Sequence, residues 1–332
     1  MGVRLAGALD PGTAWDGAEG PVRWTCALVN NMPDAAFNAT ERQFAGLLEA
    51  ASGCETVALT RHSMAGVPRG ERIRARIAAE YRPLDDIMSD PPDLLVVTGS
   101  NPIESHIEHE PYWSDLHGLL KWGSENVPAM VLSCLSAHAA LAVFDGLERT
   151  TLPAKCTGVF AQDADPTHPL SAWFNGPVVL PHSRLNTVPL DAVVDAGYTV
   201  ALQSGEVGWS VVTKTVGQSE VVLVQAHPEY DPSSLVREYH RDVRRYAGHE
   251  SDVPPCLPRD CVAGPDWEEL RRLHERIVVG GDRDPALVAA FPFDKVGARA
   301  PWPWRGAALR LYANLLGTIP NRLSGSIQKR SA

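Results

Sequence analysis

The sequence predicts an α/β fold with a mostly parallel sheet flanked by helices. Strand-like and helix-like runs alternate from about residue 22 onward, as they do where helices connect parallel strands. Of the 332 residues, 44% are hydrophobic and 21% are charged, which is typical of a folded globular chain. No stretch approaches the roughly 18 consecutive apolar residues of a membrane span, so no membrane partner is expected.

The first half of the chain alternates strands with helices. Four apolar runs end at turn residues, as buried strands do: "RWTCALVN" (23–30), "ETVALT", "DLLVVTGS" (93–100) and "PAMVLS". Amphipathic spacing or charge pattern predicts helices at 38–52, 69–81 and "YWSDLHGLLKWGSE". Asn38 or Thr40 is expected to cap the first helix, because either side chain can accept a backbone N–H.

The second half contains more β structure. Five further strands are predicted: "CTGVFAQ", "GPVVLPHSR", "YTVALQSG", "GWSVVTKT" and "EVVLVQAHPEY". The helix "SSLVREYHRDVRRYA" follows them, and short helices are expected at 267–277 and about 305–317. Pro and Cys accumulate at 250–265, which indicates a boundary or a long loop. The predicted division is an N-terminal extension, a main domain, and a C-terminal loop with helices that pack on it, at 1–22, 23–250 and 251–332.

Charge and cysteine usage exclude several classes of function. The net charge of -10 opposes attraction to nucleic acid and to anionic lipid, which bind basic surfaces. The N-terminus lacks the basic and apolar regions of a signal peptide, so a cytoplasmic protein is expected. Cysteines occur without a CxxC pair, and no Cys or His spacing completes a tetrahedral set. Neither a metal ion nor a bound cofactor is expected.

Cys134 is the first candidate for chemistry. Ligands of an open parallel sheet bind at the carboxyl ends of its strands, and Cys134 ends one strand where the helix "LSAHAALAVF" begins. The free N–H groups at a helix N-terminus favour a thiolate. The N–H of Leu135, with one from the Gly99-Ser100 turn, could hold an oxyanion. Taken alone, Cys134 also fits a buried core thiol, which is the commoner role of a cysteine.

A histidine and a glutamate at the end of another strand favour a nucleophilic role for Cys134. His227 can pair with the thiol, and Glu229, two residues further on, can orient the imidazole. The three side chains would then be nucleophile, base and orienting group. His138 also follows Cys134, but four residues into the helix it stacks along the helix, so we expect it to line the pocket wall.

The order of short motifs along most of the chain resembles that of a known family. The motifs are "NNMP" with "TERQF", "VVTGS", "YW", "SCLSAHAAL", "KCTGVF", "PHSR", "HPEYD" with "REYHRDV", and "PWRGAALRLYANLL". The cysteine turn and the distal "HPEYD" resemble the class I glutamine amidotransferase fold, which is flavodoxin-like. The whole set resembles the homoserine O-succinyltransferase and O-acetyltransferase family of methionine biosynthesis.

This resemblance implies roles for individual residues. Cys134 would be the acyl-accepting nucleophile, His227 its base and Glu229 the residue that orients His227. Four further residues match substrate-binding positions of the family: Lys155, Ser183, Arg184 and Arg241. The last of these matches an arginine that binds the amino acid's carboxylate, for which a guanidinium fork is well suited.

The resemblance also implies a reaction and its substrates. An acyl-CoA would acylate Cys134 and release CoA. The hydroxyl of L-homoserine, or of a similar hydroxy amino acid such as L-serine, would then take the acyl group in a ping-pong sequence. The acyl-CoA is a co-substrate, no cofactor is implied, and the partners would be small molecules and a second copy of the chain in a homodimer.

Two departures from the family pattern concern the substrates. The segment "NNMPDAAFNATERQF" is longer than its counterpart and has Asp34 where the family has positive charge. Glu104 lies near a position where acetyl-selective members have a Glu and succinyl-selective members a Gly. Because a carboxylate beside the acyl pocket repels the free carboxylate of a succinyl group, Glu104 favours acetyl-CoA as the donor.

Two other functions are compatible with these residues. A glutamine amidotransferase or related hydrolase would use Cys134 to release ammonia from glutamine, but that class has glycines where this chain has Ser133 and Leu135. A non-catalytic binding protein of the same fold would not need Cys134, His227 and Glu229 together. Acyl transfer is therefore the predicted function.

Overall fold

A single ten-stranded sheet organises the chain, in a computed structural model that describes residues 3–6, 22–102, 104, 106–174 and 176–319. Its strands are β1 Val3–Ala6, β2 Val22–Val29, β3 Thr56–His62, β4 Leu94–Val97, β5 Ala129–Ser133, β6 Thr150–Ala164, β7 Val178–Thr187, β8 Thr199–Ser204, β9 Gly208–Val216 and β10 Ser219–Val224. They are arranged in the order β1-β3-β2-β4-β5-β10-β9-β8-β6-β7.

Helices cover both faces of this sheet. Their bounds are α1 Asp34–Ala51, α2 Glu71–Glu80, α3 Asp85–Ser89, α4 Trp113–Asn126, α5 Leu135–Asp145, α6 Leu190–Asp195, α7 Ser234–Ala247, α8 Gly264–His274, α9 Pro285–Ala290, α10 Phe293–Ala298 and α11 Arg305–Thr318. A π-helical turn, Glu275–Val279, continues α8. No helix among the described residues combines the length and the apolar composition needed to cross a membrane.

The sheet has a parallel and an antiparallel part. Neighbouring strands run parallel from β1 through β3, β2, β4 and β5 to β10. The helices α1 to α4 supply the crossovers that join β2, β3, β4 and β5, because parallel neighbours cannot be joined by a tight turn. The remaining strands β9, β8, β6 and β7 are antiparallel. The predicted α/β fold is confirmed, and its antiparallel part combines the consecutive pairs β6–β7, β8–β9 and β9–β10 with the pair β6–β8.

The central strands are buried on both faces and divide the core in two. In β4, Leu94 and Val96 pack in one apolar cluster with residues of α1, α7 and α11. Leu95 and Val97 pack in a second cluster with residues of α4 and α5. Because successive side chains of a strand point to opposite faces, the short run 94–97 contributes to both clusters. This packing fixes the carboxyl ends of β4, β5 and β10 side by side.

Helix α1 begins earlier than the sequence predicted. The expected caps Asn38 and Thr40 both lie inside the helix, so that prediction was wrong. The helix begins at Asp34, after Pro33. The Asp34 carboxylate lies in the first turn, where the helix dipole favours negative charge, and it accepts the N–H of Gly70 at 2.7 Å. A contact distant in sequence therefore stabilises the start of the helix.

The two ends of the described chain pack against the same sheet and core. β1 pairs in parallel with β3, whereas the sequence had suggested only an extension over 1–22. At the other end, α11 packs against α1 and β7. The division at residues 22 and 250 stays a prediction.

Candidate active site

Cys134 lies on a strained turn between β5 and α5. Its φ of 52° and ψ of -108° fall in a region that L side chains rarely adopt, at a cost of about 1–3 kcal/mol. Its N–H donates to the Val224 carbonyl at 2.7 Å, and its own carbonyl accepts the N–H of Ala137 at 3.1 Å. Such a strand-to-helix turn projects a nucleophile out of the sheet. The Cys134 side chain is partly exposed, whereas Cys26 in the core is 1% exposed.

The turn after β4 lies directly against Cys134. A Cβ placed on Gly99 would be 3.3 Å from both Leu135 N and Cys134 Cβ, so a side chain here would crowd the turn. Ser100 follows Gly99 directly. Leu135 is the first residue of α5, where backbone N–H groups have no acceptor within the helix. The 99–100 turn and Leu135 are therefore close neighbours, as an oxyanion hole requires.

His227 and Glu229 lie just beyond the end of β10. Because β5 and β10 are paired with Ser133 opposite Val224, their ends bring His227 close to the cysteine. His227 Nδ1–H donates to Glu229 Oε1 at 2.8 Å, and the two residues are 5% and 7% exposed. Nε2 of His227 makes no well-aligned hydrogen bond within the described part of the chain, but the Cys134 thiol is near enough to interact with it.

The neighbours of His227 raise its pKa. Burial lowers the pKa of His227, but the Glu229 carboxylate and the Cys134 thiol together raise it by more, so the pKa lies well above its ordinary value. Glu229 accepts the hydrogen bond from Nδ1–H, and Nε2 is left for exchange of a proton with the thiol. The three predicted catalytic side chains are thus close to one another, with His227 between Cys134 and Glu229.

Three of the predicted substrate-binding residues converge on two carboxylates of α7. Lys155 Nζ is 3.3 Å from Glu238 Oε2 and 2.8 Å from Asp242 Oδ2. Ser183 Oγ donates to Glu238 Oε2. Arg241 Nε donates to Asp242 Oδ1 at 2.8 Å. We call these five residues the Glu238 cluster.

The Glu238 carboxylate stays charged within this cluster. Burial raises its pKa, but Lys155 and Arg241, together with hydrogen bonds from Ser183 and Tyr230, lower it to about 2. A cluster that holds both ammonium and carboxylate groups matches the two charges of an amino acid.

Arg184 follows Ser183 on β7, but its guanidinium bonds to main-chain carbonyls and not to the Glu238 cluster. Its Nη1 and Nη2 donate to the carbonyls of Asn186 at 2.9 Å and Val207 at 2.5 Å. Burial lowers the pKa of Arg184, while the thiols of Cys156 and Cys134 raise it. Its guanidinium is therefore close enough to Cys134 to act on the thiol electrostatically.

Glu104 lies on the loop between β4 and α4, with an exposed residue surface. Its N–H donates to Glu110 Oε1 at 3.0 Å, and its carbonyl accepts from Arg149 Nη2 at 3.1 Å. Burial lowers the pKa of Arg149, while Glu110, Tyr112 and Cys134 raise it. The loop thus brings Arg149 within electrostatic reach of the thiol, which the sequence had not indicated.

His138 is buried behind the site. Its Nε2 lies 2.9 Å from Gln225 Oε1, and burial lowers its pKa to about 4. Burial therefore favours the neutral form of His138, whereas the neighbours of His227 favour its charged form. Its expected place in the pocket wall stays a prediction.

Acid is expected to destabilise the fold through His138. Its pKa falls from 6.5 to about 4 on folding, so between these values the unfolded chain binds a proton that the folded chain excludes. At about pH 5 the loss of unfolding free energy is on the order of 2 kcal/mol. Urea unfolding at about pH 7 and about pH 5 measures it. The His138→Gln variant should lose less stability than wild type over this interval, and equal losses would contradict the expectation.

Sequence reasoning missed several residues that contact the predicted ones. Glu238 and Tyr230 lie inside the quoted motifs "REYHRDV" and "HPEYD", but a charged residue on an amphipathic helix is usually solvated, so the pattern gave no sign of burial. Within the described residues, no group of three or more His, Cys, Asp or Glu side chains could hold a metal ion.

A solved structure supports the fold. A glutamine amidotransferase from Methylobacillus flagellatus is similar to this chain with a TM-score of 0.50 and 14% identity, over 91% of this chain and 97% of the other. At this identity the likeness shows the fold alone. The predicted class I glutamine amidotransferase-like fold is confirmed.

Sequence relatives establish the family. The profile of the family described as homoserine O-succinyltransferase matches residues 22–321. A homoserine O-succinyltransferase of Rhodopseudomonas palustris is 38% identical over 265 residues, which cover 80% of this chain and 79% of that protein. One of Methylorubrum extorquens is 36% identical over 316 residues and 93% of each chain. The chain therefore belongs to the homoserine O-succinyltransferase family and is an acyltransferase.

Proposed function

We propose that this protein transfers an acyl group from an acyl-CoA, through Cys134, to the hydroxyl of L-homoserine or of a closely similar hydroxy amino acid. The observation that carries the proposal is the strained turn of Cys134 beside the buried His227–Glu229 pair. The names of the relatives, which are homoserine O-succinyltransferases, support the reaction and its place in methionine biosynthesis.

The first half of the reaction acylates Cys134. The proton of the thiol rests on His227 Nε2, and the thiolate attacks the thioester carbonyl of the acyl-CoA. The N–H groups of Leu135 and of the 99–100 turn stabilise the oxyanion that forms. The carbon–sulfur bond to CoA then breaks, and the departing thiolate takes the proton from Nε2. The products are free CoA, an acyl-enzyme and a neutral His227.

The second half transfers the acyl group to the acceptor. Neutral His227 takes the proton of the acceptor's hydroxyl, and the oxygen attacks the thioester at Cys134. The bond to the sulfur breaks, which returns the thiolate beside a protonated His227. The Glu229 carboxylate stabilises the imidazolium in both halves.

The acceptor amino acid is proposed to bind at the Glu238 cluster. Arg241, whose side chain is 36% exposed, can take the carboxylate of the amino acid as a fork. Glu238 and Asp242 can take its ammonium group. Recognition of both charges at one place orients the hydroxyl of the acceptor, which lowers the entropic cost of the second half.

The donor is proposed to be succinyl-CoA, with acetyl-CoA as the alternative. Glu104 favours acetyl, but its hydrogen bonds to Glu110 and Arg149 use main-chain atoms. The relatives' names favour succinyl. The guanidinium groups of Arg149 and Arg184 act electrostatically on Cys134, and two cations near the thiol favour an acyl group with a free carboxylate.

The donor and the mechanism can be tested together. With no acceptor present, mixing the protein with equal amounts of succinyl-CoA and acetyl-CoA should release one equivalent of CoA per chain, and intact mass should show the succinyl increment. Adding L-homoserine should then remove the adduct. Comparing the rate at which L-serine removes it measures the selectivity of the acceptor site.

Three results would contradict this proposal. CoA release that requires the acceptor, with no adduct, would indicate direct transfer. A predominant acetyl increment would overturn the choice of donor. Ammonia release from L-glutamine without any reaction with acyl-CoA would favour the amidotransferase or hydrolase alternative.

A further inference from the structure

Tyr230 lies between the catalytic histidine and the Glu238 cluster. Its ring stacks on the imidazole of His227, with the ring centroids 4.3 Å apart and an interplanar angle of 18°. Its hydroxyl donates to Glu238 Oε1 at 2.5 Å. The same carboxylate accepts hydrogen bonds from Lys155 and Ser183 through its other oxygen. One side chain therefore contacts both parts of the site.

The backbone of Tyr230 is held as firmly as its side chain. The indole N–H groups of Trp302 and Trp304 both donate to its carbonyl, at 3.1 Å and 3.0 Å. Its own N–H donates to the His227 carbonyl at 3.1 Å. Only 7% of the residue is exposed. The main chain of Tyr230 is therefore fixed, and its side chain can shift only together with Glu238 and His227, the two side chains that it contacts.

A hydrogen bond to Glu229 alone does not determine the plane of the His227 ring. The terminal torsion of a histidine side chain is broad, and one contact at Nδ1 leaves rotation about that bond. A stacked aromatic ring restricts the imidazole to one plane. That plane decides whether Nε2 points at the sulfur or at the hydroxyl of an acceptor.

We propose that Tyr230 is a positioning residue that links the Glu238 cluster to the orientation of His227, so that a bound acceptor sets the base for the second half-reaction. This inference rests on the proposed function. An acceptor that binds at Lys155, Arg241 and the carboxylates shifts the charges around Glu238. When Glu238 shifts, the Tyr230 hydroxyl keeps its hydrogen bond to Oε1, so the Tyr230 ring shifts too. The stacked imidazole of His227 then turns with that ring.

Two variants of Tyr230 separate the hydrogen bond from the stacking. Tyr230→Phe keeps the ring and loses the hydroxyl, so acylation should stay within about 3-fold of wild type while kcat/KM for the acceptor falls about 10- to 100-fold, the range expected for a hydrogen bond to a charged group. Tyr230→Leu loses the stacking as well, so both half-reactions should slow. The burst of CoA release measures the first half, and decay of the isolated acyl-enzyme with L-homoserine measures the second.

Tyr198 offers a matched control. It is also a buried tyrosine, and its hydroxyl donates to the Asp145 carboxylate at 2.9 Å, away from the cysteine turn. Tyr198→Phe should leave both half-reactions unchanged. Glu238→Gln tests the link from its other end, and the double variant Tyr230→Phe with Glu238→Gln should lose less than the sum of the two single losses.

The outcomes separate this inference from the proposed function. If wild type forms no acyl-enzyme, the proposed function fails, and the inference fails with it. If wild type forms the acyl-enzyme but Tyr230→Phe slows both halves equally, or neither, the link is overturned while the proposed function stands. The link would also be overturned if the losses in kcat/KM for the acceptor simply add in the double variant. This comparison is made among the variants that fold, as judged by a thermal melt.

Discussion

Cys134→Ala is expected to abolish acyl transfer and to leave no acyl adduct, with the fold retained. Without the sulfur there is no atom on the turn to carry the acyl group, so turnover should fall by at least about 10⁴-fold. The fold should survive because the thiol is partly exposed and the backbone bonds of the turn do not involve it. Intact mass after mixing with succinyl-CoA, steady-state turnover and a thermal melt measure the three expectations.

Another cysteine supplies the control for this experiment. Cys54 is exposed and free, so it reports whether acyl-CoA modifies any accessible thiol. Cys54→Ala should keep the full adduct and the full turnover. An adduct that persists in Cys134→Ala, or that disappears in Cys54→Ala, would show that acylation occurs elsewhere.

His227→Asn is expected to lower turnover by about 10³- to 10⁴-fold, because it removes the base of both half-reactions. Glu229→Gln is expected to change the pH dependence of turnover. Glu229→Gln keeps an oxygen that can accept the Nδ1 hydrogen but removes the charge that raises the pKa of His227. The pKa of His227 therefore falls. Because attack by the acceptor needs a neutral imidazole, kcat/KM for the acceptor increases with pH as His227 loses its proton, and in this variant the increase occurs at lower pH.

The pH profile of this rise distinguishes His227 from its neighbour His138. Stopped assays over the neutral range, done on the acyl-enzyme with L-homoserine, give the profile of each variant. His138→Gln should keep the wild-type profile, because His138 is already neutral in this range. A profile that shifts with His138→Gln and not with Glu229→Gln would assign the base to His138.

The parallel part of the sheet, and the candidate residues at the carboxyl ends of its strands, could be predicted from the sequence because they depend on local patterns. Apolar runs such as 93–100 and 129–133 mark buried strands, and Cys134 follows one of them directly. The φ of 52° at Cys134 could not be predicted, because a strained backbone is imposed by tertiary bonds such as that to Val224. β10 also ends at Val224, before His227, although the Gln225 N–H still donates to the Ser210 carbonyl of β9 at 2.9 Å.

The Glu238 cluster could be predicted only in part. Lys155, Ser183 and Arg241 were expected as separate substrate contacts on the family pattern, but the carboxylates that join them were not. Glu238 lies on α7 and reaches Lys155 across 83 positions of sequence. Spacing and periodicity carry no information about contacts over such distances. The same holds for Pro33 and Gly70, which determine where α1 begins.

The two indoles that donate to the carbonyl of Tyr230 affect the order in which the site is completed as the ribosome makes the protein. Trp302 and Trp304 lie 72 and 74 residues beyond Tyr230 in the chain. A ribosome that has released the chain through α7 has already released the cysteine, the histidine and the glutamate, but neither indole. The nascent protein therefore contains every reacting atom before it contains the supports that hold the histidine's stacking partner. If the proposed roles hold, full competence for acyl transfer is expected only late in translation, when the last helices dock.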